Sequence, residues 1–385
     1  MSLDKALVDR VRSRLLDSGA EPTPSAVALA LRREGALLGD EVVLEVVGRL
    51  RGELAGAGLL EPLLRDPLVT DVLVNGPDEV WVDRGGALRR TFVSLGGEAD
   101  VRRLAQRLAV RAGRRLDDSA PWVDARLADG IRLHAVLPPV SPKGTVLSLR
   151  IPRRTPMTLA DLVAGGGLAP ELADVLAAVV RARLAFLVSG GTGAGKTTLL
   201  SALLGLVDPA ERLVLVEDTG ELDPDHPHVV RLESRVANIE GAGAVGLREL
   251  VRQALRMRPD RVVLGEVRGP EVLDLLVALN TGHEGGASTV HANAAADVPA
   301  RIEALGLLGD IDRTAVAGLL CAGVEVVVHV ERGRDGTRRV VEVGVLERAQ
   351  GGAAVVRTAV SSDASGQVRA GPAWDALRAR CGLGP

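Results

Sequence analysis

Tyrosine is absent from this chain of 385 residues, and the other aromatic residues amount to two phenylalanines and three tryptophans. So few aromatic rings leave little on which single-stranded nucleic acid could stack. A formal net charge of −3 supplies no basic field to hold a duplex, and no nucleic acid is expected as a partner. Cys321 and Cys381 are too few and too scattered for a disulfide framework or a four-cysteine zinc site, and point to a reducing, cytosolic compartment. Long apolar runs are missing as well. The two longest, around 172–188 and 316–330, are interrupted by Asp174, Arg181, Arg183 and Glu325, short of the ~20 apolar residues that a membrane-spanning helix needs. The start, Met1-Ser2-Leu3-Asp4-Lys5, has no apolar stretch of the signal-peptide kind. Lysine is nearly absent too: Lys5, Lys143 and Lys196 stand against abundant arginine. A lysine kept at position 196 is therefore informative, since arginine is a poor geometric substitute at a compact charge-binding site.

Lys196 lies within Gly190-Gly191-Thr192-Gly193-Ala194-Gly195-Lys196-Thr197-Thr198. Gly190, Gly195, Lys196 and Thr197 fill the spacing G-x-x-x-x-G-K-[ST] of a phosphate-binding loop. The apolar run 184–188 leads in as a buried strand does, and Leu199, Leu200, Leu203 and Leu204 follow at helical spacing. In that strand–loop–helix context the glycines let successive backbone N–H groups point inward at phosphates, and the helix N-terminus adds more donors. Lys196 is expected to neutralise the β- and γ-phosphates of ATP, and the Thr197 hydroxyl to ligate Mg²⁺.

The remainder divides into three parts. Residues 1–58 read as a helical extension, with Asp40 capping a helix that carries Val43, Val46, Val47, Leu50 and Leu54 and stops at Gly56 and Gly58. Residues 59–155 read as a small α/β domain. Short alternating runs at 69–74, 79–83 and 88–93 make a meander, 101–111 a helix, and 131–137 and 145–150 two further strands. Pro152 and Pro156, with arginines between, mark a linker. Residues 156–385 alternate helix and strand: 172–180 helix, 184–188 strand, the loop and its helix, 212–216 strand, 247–255 helix and 261–264 strand. This predicts an α/β fold with a parallel, helix-covered sheet. A hairpin turning at Asp335-Gly336 is expected over 324–348, and the Gly-, Ser- and Ala-rich stretch 350–372 reads as loop.

Acidic groups are expected where strands end beside the loop, because ligands gather there in open α/β sheets. The run 212–216 leads into Glu217-Asp218, and 261–264 into Gly265-Glu266. Either carboxylate can reach Mg²⁺ or the attacking water. A third cluster, Thr281 to Asn293, holds His283 and His291; a histidine near a γ-phosphate can sense it by hydrogen bonding. His134, His226, His228 and His329 read as surface or satisfied core residues.

Taken together these strings resemble the ATPases of type II secretion, type IV pili and Tad/Flp pili, and most closely the Tad/Flp branch. The stretch 212–222 resembles that family's aspartate box, 255–269 its atypical Walker B with Gly265-Glu266 in place of an acidic pair, and 280–293 its histidine box. Upstream, Glu61-Pro62-Leu63-Leu64, the run 72–77 and Asp124–Gly130 extend the likeness to about residues 60–345. The resemblance implies a RecA-like ATPase domain behind a smaller α/β domain. It implies that Glu266 activates or positions water, that Glu217 assists at Mg²⁺ or the water, and that His291, more than His283, lies near the γ-phosphate. It also implies that Arg126, Arg132 and Arg150 reach the nucleotide from the amino-terminal domain. Further implications are a homo-hexamer in the cytoplasm, resting on the inner face of the cell membrane and driving a platform protein there. The four-cysteine module of many type II members is missing, so no zinc is expected. A conjugation-type ATPase shares the same motifs; an ATP-binding subunit without turnover and a nucleic-acid motor are the readings from other classes.

Overall fold

The computed structural model describes residues 10, 11, 14, 24–34, 43, 46, 56–86, 88–152, 156–235, 243–333 and 335–382. Two compact units divide the chain, Met1–Arg154 and Thr155–Pro385.

In the first unit α1 (Pro24–Arg33) and the short α2 (Glu61–Arg65) precede β1 (Asp71–Gly76), β2 (Glu79–Asp83) and β3 (Leu88–Arg90). After α3 (Glu98–Arg111) come β4 (Trp122–Arg126), β5 (Arg132–Val136) and β6 (Val146–Arg150). The strands form one antiparallel sheet in the order β3-β2-β1-β6-β5-β4. Helix α3 buries Val101, Leu104, Ala105, Leu108 and Ala109, the three-and-four spacing of a single apolar stripe. The stripe packs on the alternate residues Leu133, Ala135, Leu147 and Leu149 of the sheet, which point to the same side. Strand β4 was not foreseen from its sequence. The proposed helix over 40–54 falls outside the described residues except for Val43 and Val46, both helical. Residues 153–155 of the expected linker also fall outside them.

The second unit opens with α4 (Leu159–Ala164) and α5 (Pro170–Arg181), then β7 (Phe186–Gly190), α6 (Lys196–Leu204), β8 (Leu213–Glu217) and β9 (Val229–Glu233). There follow α7 (Leu247–Leu255), β10 (Arg261–Val267), α8 (Glu271–Leu279), β11 (Ala287–Val290), α9 (Val298–Leu307) and α10 (Arg313–Gly323). The end of the chain is β12 (Val326–Arg332), β13 (Arg338–Arg348), β14 (Ala354–Ser362), β15 (Val368–Ala370) and α11 (Trp374–Arg380). Nine strands lie in the order β15-β14-β13-β12-β7-β11-β10-β8-β9. From β12 to β9 the neighbours are parallel, while β13, β14 and β15 add antiparallel pairs on one side. The expectation of a loop over 350–372 is thus corrected: two strands occupy most of it, recruited by the long β13.

Alternation along β7 explains the layering. Phe186 and Val188 enter a core with α5 and α6, whereas Ala185 and Leu187 enter a core with α7, α8, α9 and α10. Both faces of the strand are buried, as a parallel sheet covered by helices requires. Fully burying an aliphatic or aromatic side chain of this size contributes about 1.5–3 kcal/mol. The central strands are therefore fixed firmly, and the loops at their carboxyl ends inherit that rigidity.

Candidate nucleotide site

The segment 190–198 begins where β7 ends and becomes the first turn of α6. Gly190 lies opposite Val330 of β12, so close that a Cβ there would fall 2.3 Å from the Val330 carbonyl oxygen. Gly195 caps α6 with φ 96°, a left-handed conformation open to glycine. Helix geometry then leaves the first N–H groups of α6 without intrahelical partners, aimed out of its N-terminus. Lys196 is buried, and its Nζ donates to the carbonyls of Gly190 (3.1 Å) and Gly191 (3.0 Å). Thr197 and Thr198 sit half-buried in the same turn.

His291 follows β11, the strand next to β7. Its Nε2 lies 2.7 Å from Glu266 Oε1, and its Nδ1 lies 3.3 Å from Lys196 Nζ. The pair of contacts places the imidazole proton on Nε2, donating to the carboxylate, with Nδ1 accepting from the ammonium. Glu266 Oε2 in turn accepts from Arg268 Nε at 2.6 Å. Lys196, His291, Glu266 and Arg268 therefore form one connected chain across β7, β11 and β10. Burial holds the Lys196 ammonium below its usual range, with Glu266 opposing. Burial and then the Lys196 charge lower His291, again against Glu266. His283 stays apart, its Nδ1 at 3.2 Å from the carbonyl of Ala278 in α8.

Glu217 is placed differently. It is 4% exposed, and its Oε1 accepts from the backbone N–H groups of Glu221 and Leu222, both at 2.9 Å. Its Oε2 is buried without a hydrogen-bond partner. Desolvation outweighs those two donors and pushes the carboxyl up to about 7. The carboxylate leans on Gly265, where a Cβ would come within 2.7 Å of Glu217 Cγ. This is a physical reason for glycine before Glu266: a second acid there would collide with the first.

The sequence reading gave no individual role to three further residues. Glu271 is buried and accepts at Oε1 from the N–H groups of Arg268 (2.6 Å) and Gly269 (2.7 Å), fixing the turn after Glu266. Thr289 Oγ1 donates to the Gly265 carbonyl at 2.8 Å. Arg338 Nε donates to the Gly193 carbonyl at 2.8 Å. The charge of Glu271 two residues after Arg268-Gly269 was a usable cue for a turn; the other two contacts join distant segments and left none.

In the first unit, register does what spacing could not. Arg126 pairs with Arg132, and Arg132 with Arg150, so the three arginines form one row across β4, β5 and β6. The row continues to Asp71 of β1. It lies on the face turned away from α3, because the neighbouring Ala125, Leu133 and Leu149 point into the core. Like charges directly opposite one another on a sheet are destabilising.

The family model described as "Type II/IV secretion system protein" matches residues 53–364. The chain belongs to this family. It is 59% identical over 321 residues to a Mycobacterium tuberculosis protein bearing the name "Putative conjugal transfer protein", covering 82% of this chain and 91% of the relative. It is 35% identical over 314 residues to the type IV secretion system protein PtlH of Bordetella pertussis, covering 74% and 92%. It is 30% identical over 291 residues to the conjugal transfer protein TrbB of Rhizobium radiobacter, covering 74% and 85%. Among solved structures, the ATPase DotB of Legionella pneumophila matches with TM-score 0.55 at 18% identity over 74% of this chain and 79% of that one. The pilus retraction motor PilT with bound ADP matches with TM-score 0.53 at 20% identity, covering 78% and 81%. Both share the fold. No described helix is long and apolar enough to cross a membrane.

The residues present fit a nucleoside triphosphate. A Cβ at Gly191 or Gly193 would meet no atom within 4 Å, so space lies open beside the loop, and a desolvated lysine faces it. Among the described residues no group of three or more His, Cys, Asp or Glu could hold a metal ion by itself. Mg²⁺ commonly takes one or two protein ligands with phosphate oxygens and water, and the Thr197 hydroxyl in the first turn of α6 and the partnerless Glu217 Oε2 are oxygens of that kind.

Proposed function

We propose that this chain is an ATP-hydrolysing motor that works as a homo-hexamer, peripherally bound at the inner face of the cell membrane. It drives pilus assembly or protein secretion through a platform protein in that membrane. The observation that supports this best is the connected chain of Lys196, His291, Glu266 and Arg268 at the carboxyl ends of adjacent strands. In this reading residues 190–198 hold the phosphates, and Lys196 exchanges its loop carbonyls for β- and γ-phosphate oxygens. Mg²⁺, held by Thr197 with assistance from Glu217, supplies charge neutralisation on the phosphates. Glu266 takes the proton of the attacking water, and His291 fixes the direction of its carboxylate. Arg126, Arg132 and Arg150, one row on their sheet, are the arginines assigned to spread the charge of the transferring phosphoryl.

The upstream motifs support the Tad/Flp branch. A conjugation-type machine is the second reading, and the names borne by the relatives favour it. The platform protein that co-purifies with the chain from membranes separates the two.

The motor itself is tested on the full chain, by measuring phosphate release per subunit against protein concentration beside sedimentation. Turnover should rise as the ring assembles, and Arg126→Ala, Arg132→Ala and Arg150→Ala together should lower it by about 10³ or more, as arginines of this kind do elsewhere. No turnover at any concentration would leave an ATP-binding subunit. Turnover independent of both concentration and the arginines would sink the motor reading.

A further inference from the structure

A basic residue outside the four ATPase motifs touches the phosphate-binding loop. Arg338 is exposed at the start of β13, and its Nε donates to the Gly193 carbonyl at 2.8 Å. Its stem passes over Gly195, where a Cβ would lie 3.1 Å from Arg338 Cδ. Register explains how it gets there. Val330 of β12 pairs with both Gly190 and Val340, so the two residues before Val340 overhang the end of β7.

The strand order gives this placement its meaning. Glu266 and Glu217 end β10 and β8, on one side of β7, while β12 and β13 lie on the other. A nucleotide whose terminal phosphate faces the two acids must direct its α-phosphate and ribose the opposite way, toward the β12–β13 hairpin. We propose that Arg338 is a nucleotide-binding residue that holds the α-phosphate end of ATP and ADP. This rests on the phosphate-loop reading above and adds a second cation on the side remote from hydrolysis. Guanidinium suits the task because it can keep a backbone carbonyl and a phosphate oxygen on different N–H groups of one planar fork.

The division of labour is measurable. Arg338→Gln should raise Kd for both ADP and ATP by about tenfold, a charge-assisted hydrogen bond being of that worth. The two factors should agree, because both nucleotides carry the α-phosphate, and kcat at saturating ATP should stay within about twofold. Arg338→Lys, keeping the charge but not the fork, should lie between. Titration of a fluorescent ADP and competition with ATP on the full chain read all three, with circular dichroism confirming the fold. Lys196→Ala is run beside them. If Lys196→Ala abolishes binding while both Arg338 variants bind like the parent, Arg338 is no ligand and the proposal falls alone. A fall in kcat with unchanged Kd would mean that Arg338 only shapes the loop, and overturns it as well. If Lys196→Ala itself binds normally, it is the phosphate-loop reading that fails.

Discussion

Glu217 offers a prediction whose sign and size both come from its surroundings. Burial lifts its carboxyl from 4.5 to about 7 in the folded chain. Between those values the native state holds a proton that the unfolded state has released, so stability falls as pH rises through that window. Each pKa unit is worth 1.36 kcal/mol, so the loss from pH 4.5 to pH 7 is about 3 kcal/mol. Below the window both states are protonated, and above it both are ionised, with the cost fully present. Glu217→Gln removes the titration while an amide oxygen can still accept from Glu221 and Leu222. The amide brings its own cost, since its nitrogen enters the place of the partnerless Oε2. The slope against pH, rather than the stability at one pH, is therefore the decisive quantity. Denaturant unfolding of parent and variant at half-unit steps from pH 4.5 to 8 should give curves that approach one another, or cross, by about 3 kcal/mol toward the alkaline end. For a unit of this size that is about 6–12 °C in the relative shift of Tm. Parallel curves across the whole range would show that Glu217 is ionised at pH 5 like an ordinary carboxylate, and the account of its burial would be refuted.

Two other outcomes follow from the same region. Glu266→Gln should keep nucleotide affinity and lower phosphate release by about 10²–10⁴, the worth of a positioned base; normal turnover in this variant with loss in Glu217→Gln would exchange the two roles. Gly265→Ala should destabilise the second unit by about 1–3 kcal/mol and displace Glu217, because the added Cβ would lie 2.7 Å from Glu217 Cγ; unchanged thermal unfolding would contradict the crowding seen there.

The phosphate loop was legible because all its chemistry lies in nine consecutive residues with an apolar strand on one side and a helical stripe on the other. Helix α7 was legible to the residue, since Leu250, Val251 and Ala254 repeat at helical spacing. Strand β11 was not, and its composition tells why. Ala287-Ser288-Thr289-Val290 contains two hydroxyls, yet all four are buried between β7 and β10; what makes it a strand is its neighbours, not its pattern. Strands β14 and β15 were hidden by their flanks, where Gly351, Gly352, Gly366 and Gly371 read as turn, although β14 itself carries Val355, Val356, Thr358 and Val360. The arginine row shows the limit most plainly. Arg126, Arg132 and Arg150 are separated by irregular intervals, and only the antiparallel register of β4, β5 and β6 puts them side by side. Likewise the contact of Arg338 with Gly193 joins residues 145 apart in sequence, and no local signal carries it.

The direction of the pKa shifts bears on what the site takes. Burial drives Lys196, His291 and Glu217 each toward its uncharged form, a clustering characteristic of functional sites. A polyanion beside Lys196 and His291 would raise both back toward their charged forms. The same anion would push Glu217 higher still and keep it protonated. Only a cation arriving with the anion lets Glu217 serve as a carboxylate while Lys196 stays an ammonium. A polyphosphate alone, or a divalent cation alone, thus answers half of the arrangement; the two together answer all of it. This is the electrostatic argument that supports the proposed metal-bound triphosphate over free phosphate, and it rests on Glu217 as much as on the phosphate loop.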